Sequence, residues 1–271
     1  MTTKPHVLKY PGGKWQMAEA IVANLPRHDV YLEPFFGSGA VFFTKAPSKV
    51  ETINDIDGRI VNLFRVIREH GDELAFVVGA TPYARAELET ARAHDDGTPV
   101  EQARRFLVWC HQQIGVRTGN EYANGWRWTK DRDSSAVPRW RELPAAITAA
   151  AERLRMAQIE SRPALDVIAV HNAEHVLIYA DPPYEPTTLA HVPYRHVMTT
   201  DEHATLLDAL QAHRGAVVLS GYRCDLYDER LQSWQRIDRR IYADAANVRV
   251  ESLWLNPRAA RTRQTMLPLT A

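Results

Sequence analysis

One short segment combines a carboxylate, two rigid carbonyl groups and an aromatic ring: Asp181-Pro182-Pro183-Tyr184. It follows the apolar run Val176–Ala180, which is typical of a buried strand. The two prolines end that strand, because neither can donate a ladder hydrogen bond and a residue before proline avoids helical backbone angles. Asp181 is therefore expected at the carboxyl end of a strand, where open α/β sheets bind ligands. The alternative is a polar turn that only ends a strand.

Two glycine-containing segments near the N-terminus could bring backbone close to a ligand. The first is Tyr10-Pro11-Gly12-Gly13-Lys14, for which an ordinary N-terminal turn is the alternative. The second follows a predicted short strand, Val30–Leu32, and reads Glu33-Pro34-Phe35-Phe36-Gly37-Ser38-Gly39. A strand followed by a Gly-x-Gly turn is how backbone approaches a nucleotide-containing cofactor. The third glycine of dinucleotide sites and the Gly-Lys-Ser/Thr ending of phosphate loops do not follow, so this turn is weak evidence by itself.

An acidic residue stands at the end of the next predicted strand. Asp55 follows Val50–Asn54 and lies 18 positions after Gly37. An acid about 20 positions after such a glycine turn is placed to bind the hydroxyl pair of a ribose. The alternative role is the N-cap of the following helix, for which Asp57 is the better candidate.

A basic and aromatic segment, residues 117–141, reads RTGNEYANGWRWTKDRDSSAVPRWR. Its Gly-Asn and Asn-Gly pairs could close a β-hairpin. Basic residues interleaved with aromatic ones can hold phosphates and stack on or wedge between bases. The candidates for nucleic-acid contact are Arg117, Asn120, Tyr122, Trp126, Arg127, Lys130, Arg132 and Arg139. A solvated loop with extended arginines is the alternative.

The composition sets limits on the class of protein. The 271 residues, 45% hydrophobic, are enough for one large domain or a core domain with an insertion. The 33 Lys and Arg balance the 33 Asp and Glu, so a DNA-binding face must come from local clustering. The two cysteines, Cys110 and Cys224, do not have the spacing of metal ligands. The two histidines of the loop after Tyr184, His191 and His196, do not either, so we expect no metal site. The absence of a long apolar run indicates a soluble cytoplasmic protein that does not bind membranes.

The order of these motifs is informative. Tyr-Pro-Gly-Gly-Lys precedes Glu-Pro-Phe-Phe-Gly-Ser-Gly, then come Asn-Asp-Ile-Asp, the basic segment, Asp-Pro-Pro-Tyr and Glu-Ser-Leu-Trp-Leu-Asn-Pro. The chain thereby resembles, over almost its whole length, the Dam-type (D12 class) DNA adenine-N6 methyltransferases. The resemblance implies an α/β fold: a Rossmann-like sheet, mostly parallel, with an antiparallel C-terminal hairpin. It also implies a catalytic domain of residues 1–70 and 155–271, and an inserted target-recognition domain of residues 71–154.

Roles for individual residues also follow from the resemblance. The catalytic residues would be Asp181, Pro182, Pro183 and Tyr184. S-adenosyl-L-methionine would contact Tyr10, Lys14, Glu33, Pro34, Phe35, Gly37, Gly39, Asp55 and Asp181, with Glu160 or Ser161 near its adenine. The Asp181 carboxylate and the Pro182 carbonyl would accept hydrogen bonds from N6 of the target adenine. Tyr184 would stack on that adenine once it is flipped out of the duplex.

The partner implied is double-stranded DNA with a specific target site, in a bacterial or phage-infected cell. We expect a monomer, with a dimer as the alternative. Methylation of cytosine N4 or RNA, or a catalytically silent DNA-binding relative, are the competing hypotheses. Cytosine enzymes more often resemble Ser-Pro-Pro-Tyr, so Asp181 favours adenine. The composition of the basic segment departs from that of the best-known members, so neither a target sequence nor base-reading residues can be carried over, and a restriction, phage or housekeeping role stays open.

Overall fold

The computed structural model describes residues 4–94, 96–115, 125–128, 136–188, 195–244 and 247–264, with backbone alone for 241–244, 247–248 and 262–264. Within these ranges the strands form one seven-stranded sheet. They are β1 (Val30–Glu33), β2 (Val50–Asn54), β3 (Ala157–Glu160), β4 (Val176–Ala180), β5 (Ala216–Gly221), β6 (Gln235–Asp244) and β7 (Asn247–Leu255). The helices are α1 (Ala18–Val22), α2 (Gly58–Ala80), α3 (Arg85–Ala93), α4 (Pro99–Gln112), α5 (Ala136–Leu154), α6 (Ala164–Val170), α7 (Thr200–Gln211), α8 (Asp225–Arg230) and α9 (Pro257–Gln264).

The sheet has the strand order β3-β2-β1-β4-β5-β7-β6. Strands β1 to β5 are parallel, whereas β7 runs antiparallel to β5 and pairs with β6 as an antiparallel hairpin. The predicted fold class is therefore confirmed. From β1 the chain builds outward to β2 and β3, and β4 then begins the other half on the opposite side of β1. The topological switch point thus lies between β1 and β4, where such sheets bind ligands.

The central strands are buried on both faces, as their continuous apolar sequences predict. All five residues of β4 are buried, and alternate side chains enter different cores. Leu177 and Tyr179 join the core that also contains α2, α4 and α5. Ile178 and Ala180 join the core on the other side, against α7. Full burial of a residue such as Leu177 stabilises the fold by about 1.5–3 kcal/mol, which fixes β4 and the residues that follow it.

Helix α2 begins shortly after β2 and packs against α4 and α5. Asp57 caps it by accepting a hydrogen bond from the backbone N–H of Arg59, which confirms Asp57 as the cap. The helix continues to Ala80 with one non-helical residue, His70, at φ −134° and ψ 35°. That interruption coincides with the predicted domain boundary at residues 70/71, and the division into domains stays a prediction.

The structure changes the interpretation of the basic segment at its C-terminal end. Residues 136–141 are the first turns of α5, so Arg139 lies on a helix and not in a hairpin. Pro138 is compatible with a helix start, because the first turn needs no intrahelical donor there. Within the described ranges, no helix is long and apolar enough to cross a bilayer.

Candidate active site

A cleft opens at the switch point, outside the ends of β1 and β4. Its lining includes nine of the residues predicted from the sequence: Tyr10, Lys14, Glu33, Phe35, Gly37, Asp55, Asp181, Pro182 and Pro183. Pro34 and Gly39 belong to the same turn without lining the cleft. The lining also contains Tyr179, Asp57 and His196, which the sequence did not single out for this site.

The glycine turn after β1 has the backbone conformation that glycine permits. Gly37 and Gly39 have φ angles of +51° and +67°. A Cβ on Gly39 would lie 2.5 Å from Cζ of Phe36, so this position also requires a residue without a side chain. The N–H of Gly37 donates to Oδ2 of Asp55 over 2.8 Å, which joins the turn to the end of β2.

Asp55 lies at the side of the cleft next to this turn. Its Oδ1 accepts a hydrogen bond from the N–H of Asp57 at 2.9 Å, and its Oδ2 accepts the one from Gly37. Burial raises the pKa of Asp55 to about 6, in spite of these two hydrogen bonds. Each carboxylate oxygen has a second lone pair, so Asp55 can accept hydrogen bonds from a ligand while it keeps the turn in place.

Lys14 is the centre of a buried ionic network beneath the Asp-Pro-Pro-Tyr segment. Its Nζ lies 2.7 Å from Oδ1 of Asp181 and 3.3 Å from Oε1 of Glu251. The same ammonium group donates to the hydroxyl of Tyr184 over 3.1 Å. Burial by itself would lower the pKa of Lys14, but the carboxylates of Asp181 and Glu251 outweigh it and raise that pKa well above its usual value. Lys14 therefore stays charged and holds the Asp181 carboxylate in one position.

Two residues of this network, Glu251 and Ser220, were missed by the sequence analysis. Glu251 lies on β7 with no exposed surface, and burial raises its pKa although Lys14 opposes the shift. Ser220 ends the apolar run of β5 and donates to Oδ1 of Asp181 over 2.7 Å. The available signal was a polar residue inside an otherwise apolar strand, because a buried polar group requires a partner.

Glu33 is a buried carboxyl group at the end of β1. The hydroxyl of Tyr31 donates to its Oε2 over 2.6 Å. Burial raises the pKa of Glu33 to about 8, opposed by the Tyr31 hydrogen bond and assisted by the negative charge of Asp181. At neutral pH the group is mostly protonated. A cation bound beside it would favour the carboxylate form.

Tyr184 is buried at its hydroxyl end and covered on its ring. The hydroxyl donates to Oε2 of Glu251 over 3.0 Å, in addition to accepting from Lys14. The ring stacks on that of Tyr222, with centroids 4.1 Å apart and planes inclined by 10°. Tyr222 was also missed by the sequence analysis, because it follows β5 and the pair is formed only by the pairing of β4 with β5.

The described part of the predicted nucleic-acid segment is anchored to the helices. Trp126 packs against Tyr83, with ring centroids 5.8 Å apart, and against the guanidinium group of Arg85. The backbone of Arg127 donates to the carbonyl of Gln112 over 2.7 Å.

Lys9 lies close enough to Arg127 and Arg139 for their positive charges to affect its pKa. Burial, together with the charges of Arg127 and Arg139, lowers the pKa of Lys9 to about 8. These three basic residues therefore form a local cluster in a chain of zero net charge. The other candidates, Arg117, Asn120, Tyr122, Lys130 and Arg132, lie outside the described residues. In the described ranges no group of three or more His, Cys, Asp or Glu is placed to hold a metal ion.

Comparisons with known proteins point to the same family as the order of the motifs. The sequence model of a family described as D12 class N6 adenine-specific DNA methyltransferase matches residues 10–92 and 137–244. A type II methyltransferase of Lactococcus lactis subsp. cremoris is 36% identical over 67 residues, which is 24% of this chain and 23% of that protein. A DNA adenine methylase of Serratia marcescens is 26% identical over 107 residues, or 38% of this chain and 39% of that protein.

A DNA adenine methylase of Escherichia coli (strain K12) is 32% identical over 66 residues, or 24% of this chain and 23% of that protein. The matched segments thus span between about a quarter and two fifths of these relatives. The family model, in contrast, matches more than half of the chain in two blocks that contain the cleft residues Lys14, Gly37 and Asp181. The chain therefore belongs to the D12 class N6 adenine-specific DNA methyltransferases.

Proposed function

We propose that this protein transfers a methyl group from S-adenosyl-L-methionine to N6 of an adenine that is flipped out of a specific site in duplex DNA. The observation that carries the proposal is the position of Asp181. Its carboxylate lines the switch-point cleft beside the glycine turn, and Lys14 and Ser220 hold it there. A carboxylate fixed in this way can orient an amino group next to a bound cofactor.

The cleft residues suit S-adenosyl-L-methionine. The Gly37 turn permits close approach of backbone, and Asp55 can accept hydrogen bonds from ribose hydroxyl groups. Glu33 offers a carboxyl group that becomes ionised when a cation binds beside it. Tyr10 and Phe35 supply aromatic walls. When bound, the cofactor supplies a methyl group on a positively charged sulfur, which is a good leaving group.

The protein's contribution to the reaction would be orientation. The lone pair of adenine N6 is delocalised into the ring, which makes this nitrogen a poor nucleophile. Among the described residues, the polar contacts of the Asp181 side chain go to Oδ1. Oδ2 can therefore accept a hydrogen bond from N6, and the Pro182 carbonyl can accept the other. Both bonds would favour a pyramidal nitrogen whose lone pair faces the methyl group that the bound cofactor would supply. N6 would then take up that methyl group from the sulfur and release one of its protons to water.

The DNA must be held while the base is turned out of the stack, because an adenine inside a duplex cannot reach Asp181. The cluster of Lys9, Arg127 and Arg139 can neutralise phosphates locally. We accordingly assign target recognition to residues 71–154 and catalysis to residues 1–70 and 155–271. The double-stranded DNA partner and the site specificity are part of the same proposal.

The test is to incubate the protein with labelled S-adenosyl-L-methionine and mixed-sequence duplex DNA, and to digest the DNA to nucleosides. Labelled N6-methyladenine is expected. Asp181→Ala should abolish transfer, whereas Asp201→Ala, which removes an exposed carboxylate from the first turn of α7, should not. Another labelled base, or DNA binding without label, would replace the proposal by one of the competing hypotheses. A near-normal rate for Asp181→Ala would refute the mechanism.

A further inference from the structure

The ring of Tyr222 lies where a flipped base would stack on Tyr184. The two rings are nearly parallel, with an interplanar angle of 10° and centroids 4.1 Å apart. This is the geometry that a base adopts on an aromatic platform. Tyr184 is only 8% exposed, so its ring has no second open face for a base. A base and Tyr222 therefore compete for the same surface of Tyr184.

The structure also indicates which of the two rings yields. Tyr184 is held from inside the protein, because Lys14 and Glu251 both hydrogen-bond to its hydroxyl at 3.1 and 3.0 Å. Tyr222 is half-buried and follows Gly221, the last residue of β5. Among the described residues, its hydroxyl accepts a hydrogen bond from the exposed Arg249, whose Nη1 lies 3.5 Å away. Tyr222 can therefore turn outward without disturbing a buried polar group.

We infer that Tyr222 is a placeholder in the target-base site: it covers the stacking face of Tyr184 in the free protein and is displaced by the incoming base. This inference depends on the proposed function, since it requires a base to enter the site. The placeholder keeps water away from the apolar ring of Tyr184. It also opposes base entry by roughly two- to tenfold, the factor that one aromatic pair is worth.

The test compares Tyr222→Ala, Tyr222→Phe and Tyr222→Trp, using a duplex with the recognition site found by methylation profiling. A second duplex, with an abasic nucleotide in place of the target adenine, serves as the matched control. Dissociation constants are measured for both in the presence of S-adenosyl-L-homocysteine. Tyr222→Ala should bind the adenine duplex roughly two- to tenfold more tightly and the abasic duplex equally well. Tyr222→Phe should resemble the wild type, and Tyr222→Trp should weaken binding of the adenine duplex alone.

A folding defect cannot produce tighter binding, so the expected direction separates the inference from simple damage. Weaker binding of the adenine duplex by Tyr222→Ala would make Tyr222 a wall of the base site and would overturn the placeholder role. Equal affinity in all four proteins would overturn it as well. If the wild type methylates no DNA, the proposed function fails and the inference fails with it. If it methylates DNA and the variants do not differ as stated, the placeholder role alone is refuted.

Discussion

Replacement of Lys14 by methionine should destabilise the protein strongly, because it removes the cation from a buried ionic network. The ammonium group lies 2.7 Å from Asp181 and 3.3 Å from Glu251, and the exposed fractions of the three side chains are 7%, 18% and 0%. Breaking a buried pair by removing one partner costs about 3–5 kcal/mol. Water can reach part of Asp181, so we expect the lower end, a loss of about 3 kcal/mol in the free energy of unfolding at pH 7.

The pH dependence of this loss identifies its cause. Burial already raises the pKa of Glu251, and without Lys14 that pKa would rise further. The native variant would then bind a proton that the unfolded chain releases, so its stability should fall as the pH rises from 5 to 8. Urea unfolding at both pH values measures the effect. Lys4→Met is the matched control, because it removes a lysine at the same 2.7 Å distance from a carboxylate, Glu19, on the surface.

A double-mutant cycle with Glu251→Gln decides whether the network acts as a unit. If it does, Lys14→Met combined with Glu251→Gln should lose less stability than the sum of the two single changes, because no unpaired carboxylate remains at position 251. Additive losses, or a loss for Lys14→Met as small as that for Lys4→Met, would refute the reasoning.

Three further predictions concern Glu33, Gly39 and Arg127. The pKa of Glu33 rises from 4.5 to about 8 on folding, so its contribution to stability is full below pH 4.5 and is lost as the pH rises through 8. Glu33→Gln should therefore flatten the decline of the urea unfolding midpoint between these pH values. An unchanged slope would contradict this assignment of the pKa. Gly39→Ala should cost roughly 1–3 kcal/mol, because φ is +67° and the new Cβ meets Phe36; thermal unfolding tests this, and a variant of wild-type stability would contradict it. Arg127→Ala should weaken DNA binding while S-adenosyl-L-methionine binding is retained, as titrations with each ligand would show; unchanged DNA affinity would exclude this residue from the interface.

Several features of the fold were predictable because their causes are local. Two prolines after an apolar run end β4 at Ala180 wherever that strand is placed in the sheet. The glycine turn after β1 and the cap at Asp57 likewise depend on backbone conformation and on neighbours only a few residues away. The motif order then predicted the fold class and the family correctly.

The start of α5 could not be predicted from the local pattern of residue types. The sequence analysis treated residues 117–141 as one basic and aromatic segment in which Gly-Asn or Asn-Gly pairs could close a hairpin, whereas the structure places residues 136–141 on the helix. Trp140 and Leu143 are buried against the other helices, and this burial determines the conformation of their neighbours. The local order of residue types does not reveal this packing, because tertiary contacts override local propensity.

The sequence by itself determined where each strand of the cleft ends and which acid stands there: Glu33 as the last residue of β1 and Asp181 directly after β4. Only the tertiary structure decided which partners those residues meet. Lys14 and Tyr184 are 170 positions apart in the chain, and Glu251 and Tyr222 come from the final part of the sheet. Their roles depend on strand pairing and on exclusion of water, which also sets the pKa of Glu33, and neither is encoded in the neighbouring residues. The Asp-Pro-Pro-Tyr segment could therefore be proposed as a site from its own chemistry, whereas the ionic network beneath it and the ring that covers Tyr184 required the assembled sheet.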